Sequence, residues 1–411
     1  MISRRQFLLS GAAVAAGGPA LRAFAADRFD PVIARLRRFV DDGELPFASI
    51  RIARHGEVLA AAHIPGVEAI GPDSLYRIYS MTKPVVAAGV VALVEDGKLT
   101  LEDPVAKFVP EFADLKVAAG SLDRLEPARP MTVAHLLTHT CGLANSWGEA
   151  SIAPLYREAG LIAAAWMYDA DIGGLDGFAR RLAAQPLEFQ PGTNWIYGYG
   201  LDIAGLVIER IGGERLGDFL RRRFFDPLGM DSTGFFVPEA QAGRLAGLYT
   251  ERDGGIEAVA DGSERSPLIK PFADAGSGGL LSTLEDYGRF ADMLANGGVR
   301  AGVRVMDAAC VRMLTTPYGP QRPLLPALQR FGRYASGGVG QALGGITRID
   351  DRSGPRSAGE YSWGGAAGTG FWATPGLGLS VTVMTQRMTA AAESARDALR
   401  PMVYAALPGG D

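Results

Sequence analysis

The chain has 411 residues, more than one hydrophobic core usually serves, so two domains are expected. With 47% hydrophobic and 21% charged residues it has the composition of a globular protein, and neither a disordered nor a fibrous chain. The net charge of −4 gives no reason to expect nucleic acid or an anionic membrane as partner.

The N-terminus reads as a targeting segment. Ser3-Arg4-Arg5-Gln6-Phe7-Leu8 has the pattern of a twin-arginine export signal. An apolar stretch from Phe7 to Ala16 follows, then Ala23-Phe24-Ala25, a small-x-small cleavage site. The apolar run is too short to span a bilayer, and no other stretch is long enough, so no stable membrane anchor is expected. Residues 1–25 are therefore set apart as a signal peptide of a periplasmic or secreted protein. Their removal takes away Arg4, Arg5 and Arg22 and no acid, leaving a charge of −7.

From Pro31 to Asp42 apolar residues at Val32, Ile33, Leu36, Phe39 and Val40 predict an amphipathic helix. Phe47–Ala53 and Glu57–Ile64 predict two strands of a hairpin closed at Arg54-His55-Gly56. Residues Tyr79 to Gly97 then read YSMTKPVVAAGVVALVEDG. Nearly every position from Val85 to Val94 is apolar, and a helix apolar all round belongs inside a protein. Pro84 requires a nearby first turn, because proline lacks the donor that interior turns need. The helix is therefore expected to start near Ser80, which sets Ser80 and Lys83 three apart on one face. A buried ammonium without a partner costs several kcal/mol, roughly, so Lys83 needs an anion or must lose its proton.

Further along, Thr132 to Thr140 predicts a short helix capped by Thr132. Residues 150 to 222 have helical period, broken at Gly173-Gly174 and Gln190-Pro191-Gly192, with Asp202 to Ile211 the clearest segment. The stretch from 234 to 275 is mixed and polar. Thr283 followed by Asp286 opens a helix that runs to Asn296. Four prolines between 317 and 330 mark an irregular segment. Thr369–Thr374 and Leu379–Thr385 are strands joined at Pro375-Gly376-Leu377-Gly378, and Glu393 to Leu407 is a closing helix despite Pro401. Strands at both ends and helices in the middle predict an α+β fold. An antiparallel sheet flanked by helices is built from residues 26–105 and 265–411. A mainly helical domain, residues 106–264, is inserted between those halves. A ligand groove is expected between the two parts.

Several motifs bear on chemistry. Ser80-Met81-Thr82-Lys83 is common by chance and alone would read as a capping serine beside a solvated lysine. Cys141 and Cys310, 169 positions apart, have no zinc spacing; a disulfide is permitted, but free buried thiols are the commoner outcome. His135 and His139 stand at i and i+4, yet no glutamate follows His135 as a zinc-protease helix requires, so packing and hydrogen bonding in the core is the preferred reading. There is no Gly-x-Ser-x-Gly elbow, no phosphate loop and no dinucleotide fingerprint. No cofactor and no metal is implied.

Taken together, other segments change the weight of the serine motif. Ser80-Met81-Thr82-Lys83-Pro84 resembles the nucleophile motif of the serine beta-lactamase and penicillin-binding-protein superfamily. The segments Met131–Leu143, Pro191–Tyr197 and Gly278–Tyr287 resemble signatures of its class C branch, and Trp363-Gly364-Gly365 stands where the family has its third active-site motif. The segments keep the family's order and cover most of residues 30 to 405. The resemblance implies a class C beta-lactamase-like fold, Ser80 as nucleophile, Lys83 beside it, and Tyr197 as the tyrosine of the second motif. It also implies an oxyanion hole from the N–H groups of Ser80 and Ala366. A serine hydroxyl needs a base to take its proton. Lysine and tyrosine side chains ordinarily titrate near ~10, so a neutral amine or a phenolate arises only where the two share protons. Either Lys83 or Tyr197 can be that base.

Two departures from the pattern matter. Tyr199 replaces the asparagine that orients a substrate amide, and Trp363 replaces the lysine that meets a substrate carboxylate. Trp-Gly-Gly with Ser-Met-Thr-Lys is similar to the family VIII carboxylesterase branch, where Trp363 would offer an apolar wall and one donor. The expected activity is hydrolysis of a small-molecule, short-chain ester, with an acyl pocket from residues 145–170 and 318–345. The alternatives are a beta-lactamase, a D-amino-acid peptidase, an acyltransferase, or a catalytically dead binding protein on this scaffold. Nothing in the sequence sets an oligomeric state.

Overall fold

A computed structural model describes residues 19–408 except 119, 163–164, 260–266, 320–337 and 389, with side chains omitted at 19–27 and 390–394. Most of the expected signal peptide, the boundary at 264/265 and the greater part of the proline-rich segment lie outside the described residues.

Strands β1 (Ala48–Arg54) and β2 (Glu57–Ile64) form the expected hairpin. His55 and Gly56 at its tip have φ of 52° and 80°, the pair of left-handed residues that a two-residue turn needs to match strand twist. The other five strands come from the far end of the chain: β3 (Val339–Gln341), β4 (Ile346–Arg348), β5 (Tyr361–Gly364), β6 (Gly370–Thr374) and β7 (Leu379–Met384). They make one antiparallel sheet in the order β3-β4-β5-β6-β7-β1-β2. The join between the two ends of the chain is β1 against β7, from Ser49 opposite Met384 to Arg54 opposite Leu379. The expected α+β fold, with an antiparallel sheet built from both ends, is the one observed.

Helices cover both faces of this sheet. On one face Pro19–Asp41 and Ala390–Ala406 bury Phe29, Val32, Leu36, Leu399 and Val403 against Ile50, Ile52, Trp372 and Val381. The first helix begins earlier than its apolar period required and contains the residues of the cleavage site Ala23-Phe24-Ala25. On the other face lies Leu284–Ala295, capped by Thr283, whose hydroxyl accepts from the Asp286 N–H at 3.0 Å. The Asp286 carboxylate does not complete the expected box. It accepts instead from the Ser232 N–H and the Thr233 hydroxyl. Among the described residues no helix is long and apolar enough to cross a membrane.

Helix Thr82–Glu95 is buried on every side from Thr82 to Leu93, as its composition demands. Each of its large apolar side chains contributes roughly 1.5–3 kcal/mol by leaving water. It stops where Lys98 N–H reaches the Leu93 carbonyl at 2.9 Å and Gly97, at φ 67°, turns the chain out. The apolar cluster around it includes Leu136, Leu201, Val207 and Phe219, so the core runs unbroken across residue 105. The intervening chain is mainly helical, with Gly174–Ala183 and Gly200–Gly212 its longest helices, and also holds the short hairpins Lys116–Ala118 with Leu125–Pro127 and Tyr249–Arg252 with Gly255–Ala258. Cys141 and Cys310 are both free and buried.

One ion pair ties the sheet to its inner helix. Arg51 of β1 is 2% exposed and reaches Asp292 with two hydrogen bonds of 3.0 and 2.8 Å, and Glu285 at 2.9 Å. Asp292 is fully buried, and the Ser380 hydroxyl donates to it as well. Removing only the cation leaves a buried carboxylate with the Ser380 hydroxyl and, as its remaining cation, Arg300 3.9 Å away. Arg51→Met is therefore expected to destabilise the fold by about 3–5 kcal/mol in urea unfolding, and Arg51→Met with Asp292→Leu to recover most of that loss.

Candidate active site

Ser80 lies in a 3-10 turn, Tyr79–Met81, that leads directly into helix Thr82–Glu95. Tyr79 has φ 44°, a left-handed conformation that costs a residue with a side chain about 1–3 kcal/mol. The kink it makes presents Ser80 at the helix mouth. The turn is held from below by Tyr287, whose hydroxyl donates to the Met81 carbonyl at 2.9 Å. Lys83 follows one turn later and is 2% exposed. Its ammonium lies 3.3 Å from the Ser80 hydroxyl oxygen and donates to the Ser277 carbonyl at 2.5 Å. It also sits 4.4 Å from the centre of the Tyr197 ring, within reach of a cation–π contact.

Tyr197 comes from the loop before helix Gly200–Gly212. Its hydroxyl is 2.5 Å from the Ser80 hydroxyl oxygen, a short hydrogen bond in which either group can donate. The three side chains expected to meet thus do so, although Tyr197 is 117 residues from Ser80. The loop is pinned by Asn145, whose side-chain amide donates to the Tyr197 carbonyl at 2.9 Å, and by the Ile196 N–H on the His139 carbonyl at 2.9 Å. The ring stands within an aromatic group. His139 is 4.7 Å from it, Trp363 stacks at 6.1 Å and 25°, and Trp195 lies at 6.5 Å. Trp195 is fixed by its indole N–H on Gln341 of β3 at 2.8 Å. Exposed Trp147 lies 6.2 Å from Tyr197 on the solvent side, within the segment 145–170 expected to line a pocket.

Two buried titratable groups surround this centre. His139, at φ 57°, has neither ring nitrogen hydrogen-bonded among the described residues. Burial, and then the Lys83 charge, hold its imidazole well below the usual histidine range, so it is neutral. Asp202, the third residue of helix Gly200–Gly212, is fully buried, and burial pushes its carboxyl up to about 6. One of its oxygens accepts from the Ser277 N–H at 3.0 Å.

The remaining sequence candidates divide. His135 packs at the N-terminus of helix Val133–Leu137, where its Nδ1 accepts from the Thr132 N–H at 3.1 Å. His139 makes no such bond and acts as an aromatic filler, so the expectation of hydrogen bonding holds for only one of the pair. Tyr199 is 3% exposed and turned away from Lys83. Its hydroxyl donates to the Leu161 carbonyl at 2.6 Å and lies 2.9 Å from the Ser146 hydroxyl. Trp363 is largely buried and stacks on both Tyr197 and His139, so the wall it offers is behind the tyrosine. Gly364 closes the same strand and Gly365 follows it. A side-chain carbon on Gly364 would strike Arg396, and one on Gly365 would strike Thr369 and the Ile78 carbonyl. These neighbours account for the glycine pair and bring β5 against the residue two before Ser80. Ala366 follows in an exposed turn.

Asn145, Ser277 and Asp202 were not among the site residues expected from the sequence. Ser277 stands one residue before the recognised segment Gly278–Tyr287, and Asp202 five after Tyr197, so proximity to motifs was their only signal. Among the described residues no three His, Cys, Asp or Glu side chains gather as metal ligands. A cavity of about 210 Å³ lined by Arg215, Arg221, Phe235 and Lys270 shares no residue with this centre, and its Arg215 is paired with Asp274. The chemistry available at Ser80 is therefore proton exchange among a hydroxyl, a phenol and an ammonium.

Comparison with known proteins identifies the family. The family model described as Beta-lactamase matches residues 32–405. Esterase EstB of Burkholderia gladioli is 33% identical over 361 residues, 81% of this chain and 84% of that protein. Lovastatin esterase of Penicillium rubens is 31% identical over 311 residues, covering 71% of this chain and 74% of that one. Among solved structures, EstCE1, a hydrolase with promiscuous acyltransferase activity, superposes with a TM-score of 0.78 at 22% identity, covering 94% of this chain and all of the other. The chain accordingly belongs to the beta-lactamase family, as a serine hydrolase of that fold.

Proposed function

We propose that the protein hydrolyses short-chain carboxylic esters through an acyl-enzyme on Ser80. The observation that carries this reading is the convergence of the Tyr197 hydroxyl, at 2.5 Å, and the Lys83 ammonium, at 3.3 Å, on the Ser80 oxygen. As that oxygen attacks the ester carbonyl carbon, its proton passes to the Tyr197–Lys83 pair in the form that has already given one proton to solvent, phenolate beside ammonium or phenol beside neutral amine. The negative charge on the carbonyl oxygen is met by the N–H groups of Ser80 and Ala366, and losing one such donor typically costs ~10²–10³ in rate. The pair returns the proton to the departing alkoxide, and the alcohol leaves. Water then attacks the acyl-enzyme, giving its proton to the same pair, and the acid departs as Ser80 recovers its hydrogen.

The preference for esters over lactams and peptides is supported by what surrounds the centre. Tyr199 is committed to the core and offers nothing to a substrate amide, and stacked Trp363 has no charge for a substrate carboxylate. An alcohol in place of water at the second step makes the same site an acyltransferase. Trp147, 62% exposed beside Tyr197, supports that second use by giving an apolar acceptor a surface to cover. Such transfer is known for the structural neighbour EstCE1. The twin-arginine-type segment supports export of the folded enzyme, and cell fractionation that finds full-length chain in the cytoplasm would speak against it.

On p-nitrophenyl butyrate, Ser80→Ala is expected to lower kcat/KM by at least ~10³-fold. A parent protein no faster than this variant would refute the reading. Tyr197→Phe keeps the ring stack and removes the hydroxyl, so kcat should fall by roughly 10²–10⁴ while KM stays within a few-fold. Nitrocefin turnover should be far slower than ester turnover, and an added primary alcohol should divert part of the acyl group into a new ester.

A further inference from the structure

We infer that Asp202 is a positioning residue for the reaction at Ser80. Its buried carboxylate acts through the backbone of Ser277 to hold the Lys83 ammonium in place and to balance its charge. This inference rests on the esterase reading above and deepens it.

The chain of contacts is continuous. Lys83 donates to the Ser277 carbonyl at 2.5 Å, and the N–H of the same residue donates to Asp202 Oδ1 at 3.0 Å. The carboxylate thus holds the residue whose carbonyl holds the lysine. The approach is made possible by Gly276, where a side-chain carbon would collide with the Leu201 carbonyl on the first turn of the helix. Asp202 is wholly buried, and its Oδ2 has no hydrogen-bond partner among the described residues. Lys83, from helix Thr82–Glu95, is the cation that faces it, and the Tyr199 phenol is the titratable neighbour on its own segment. Tyr199 has taken the asparagine's place and points elsewhere, so the lysine's polar support comes from below, through Ser277.

The energetics favour a functional role over a structural one. Burial raises the Asp202 carboxyl to about 6, from an ordinary 3.8. The folded state therefore holds this proton more tightly than the unfolded chain. Stability falls as pH rises between those values, and at neutral pH the ionised carboxylate is a net cost to the fold. An asparagine oxygen would still accept the Ser277 N–H without that cost. What asparagine cannot supply is negative charge beside a buried ammonium, whose attraction is strong where water is excluded.

The test is Asp202→Asn, with Asp202→Glu as the variant that restores charge. The asparagine variant should keep or raise the Tm, because the buried charge is gone. Its kcat on p-nitrophenyl butyrate should fall about tenfold or more with KM within about threefold. The parent should lose activity as pH falls through about 6, a step the asparagine variant lacks. Asp202→Glu should recover part of kcat. Parent-like kcat and pH profile in Asp202→Asn would overturn the inference, as would a joint fall of Tm and kcat that glutamate does not relieve. Labelling of Ser80 by a fluorophosphonate, followed against pH for parent and Asp202→Asn, reads serine reactivity without an ester. If Ser80→Ala leaves ester hydrolysis intact, the substrate reading fails alone. If the labelling rates of parent and Asp202→Asn coincide at every pH, the Asp202 inference fails alone.

Discussion

The architecture around Ser80 answers one physical difficulty, the burial of the Lys83 ammonium. A cation taken out of water costs several kcal/mol, roughly, unless its surroundings replace the lost solvent. Here the Ser277 carbonyl, the Ser80 oxygen and the face of the Tyr197 ring stand in for it. None of these lies on the lysine's own helical surface beyond Ser80. Each is brought by a different part of the chain, so the fold must close completely before the lysine is accommodated. That requirement couples the helix apolar all round, whose burial drives the core together, to the polar cluster at its mouth.

The aromatic group beside the cluster meets the same constraint. A second cation next to Lys83 would undo the arrangement, and His139 is the group that could become one. Its complete burial among Trp195, Tyr197 and Trp363 keeps it neutral. The imidazole thus serves as a flat ring that sets the angle of the Tyr197 phenol. Two residues with positive φ, Tyr79 and His139, lie on opposite sides of the phenol–serine contact. One aims the hydroxyl of Ser80, and the other ends helix Val133–Leu137 so that the imidazole can turn inward. Backbone strain of this kind persists only where tight packing holds it.

How much of this was legible in the sequence depended on range. The β1–β2 hairpin, the Thr283 cap, the Gly97 stop and the Ser80–Lys83 pairing are set within a few residues, and simple periodicity and cap chemistry found them. The sheet built from both ends followed from strands lying at both ends. Tyr197, Trp363 and Ala366 were identified through resemblance, since no local rule links them to Ser80. The glycines after Trp363 pack against Arg396 and Ile78, contacts between distant segments that no local pattern announces. The Ser277–Asp202 contact was invisible for a plainer reason. It joins residues 75 apart through a backbone N–H, which every non-proline residue carries, so side-chain pattern holds no trace of it.

The two departures from the family motif have a common electrostatic consequence. An asparagine and a lysine would add an amide and a cation facing the substrate. In their places stand a tyrosine turned into the core and a tryptophan stacked behind the phenol. The charge at the serine is then concentrated in one ammonium, and under the inference above that ammonium is balanced from within by Asp202. A substrate entering such a site meets uncharged aromatic surface at Trp147 and a hydroxyl poised between a phenol and an amine. Under the proposed ester reading a neutral acyl ester gives up little hydration on entry, whereas a carboxylate-bearing lactam would lose its water with an uncharged indole where the motif lysine would stand. Under that reading, selection follows from withheld charge, and the replacement that withholds it leaves the proton-transfer group intact.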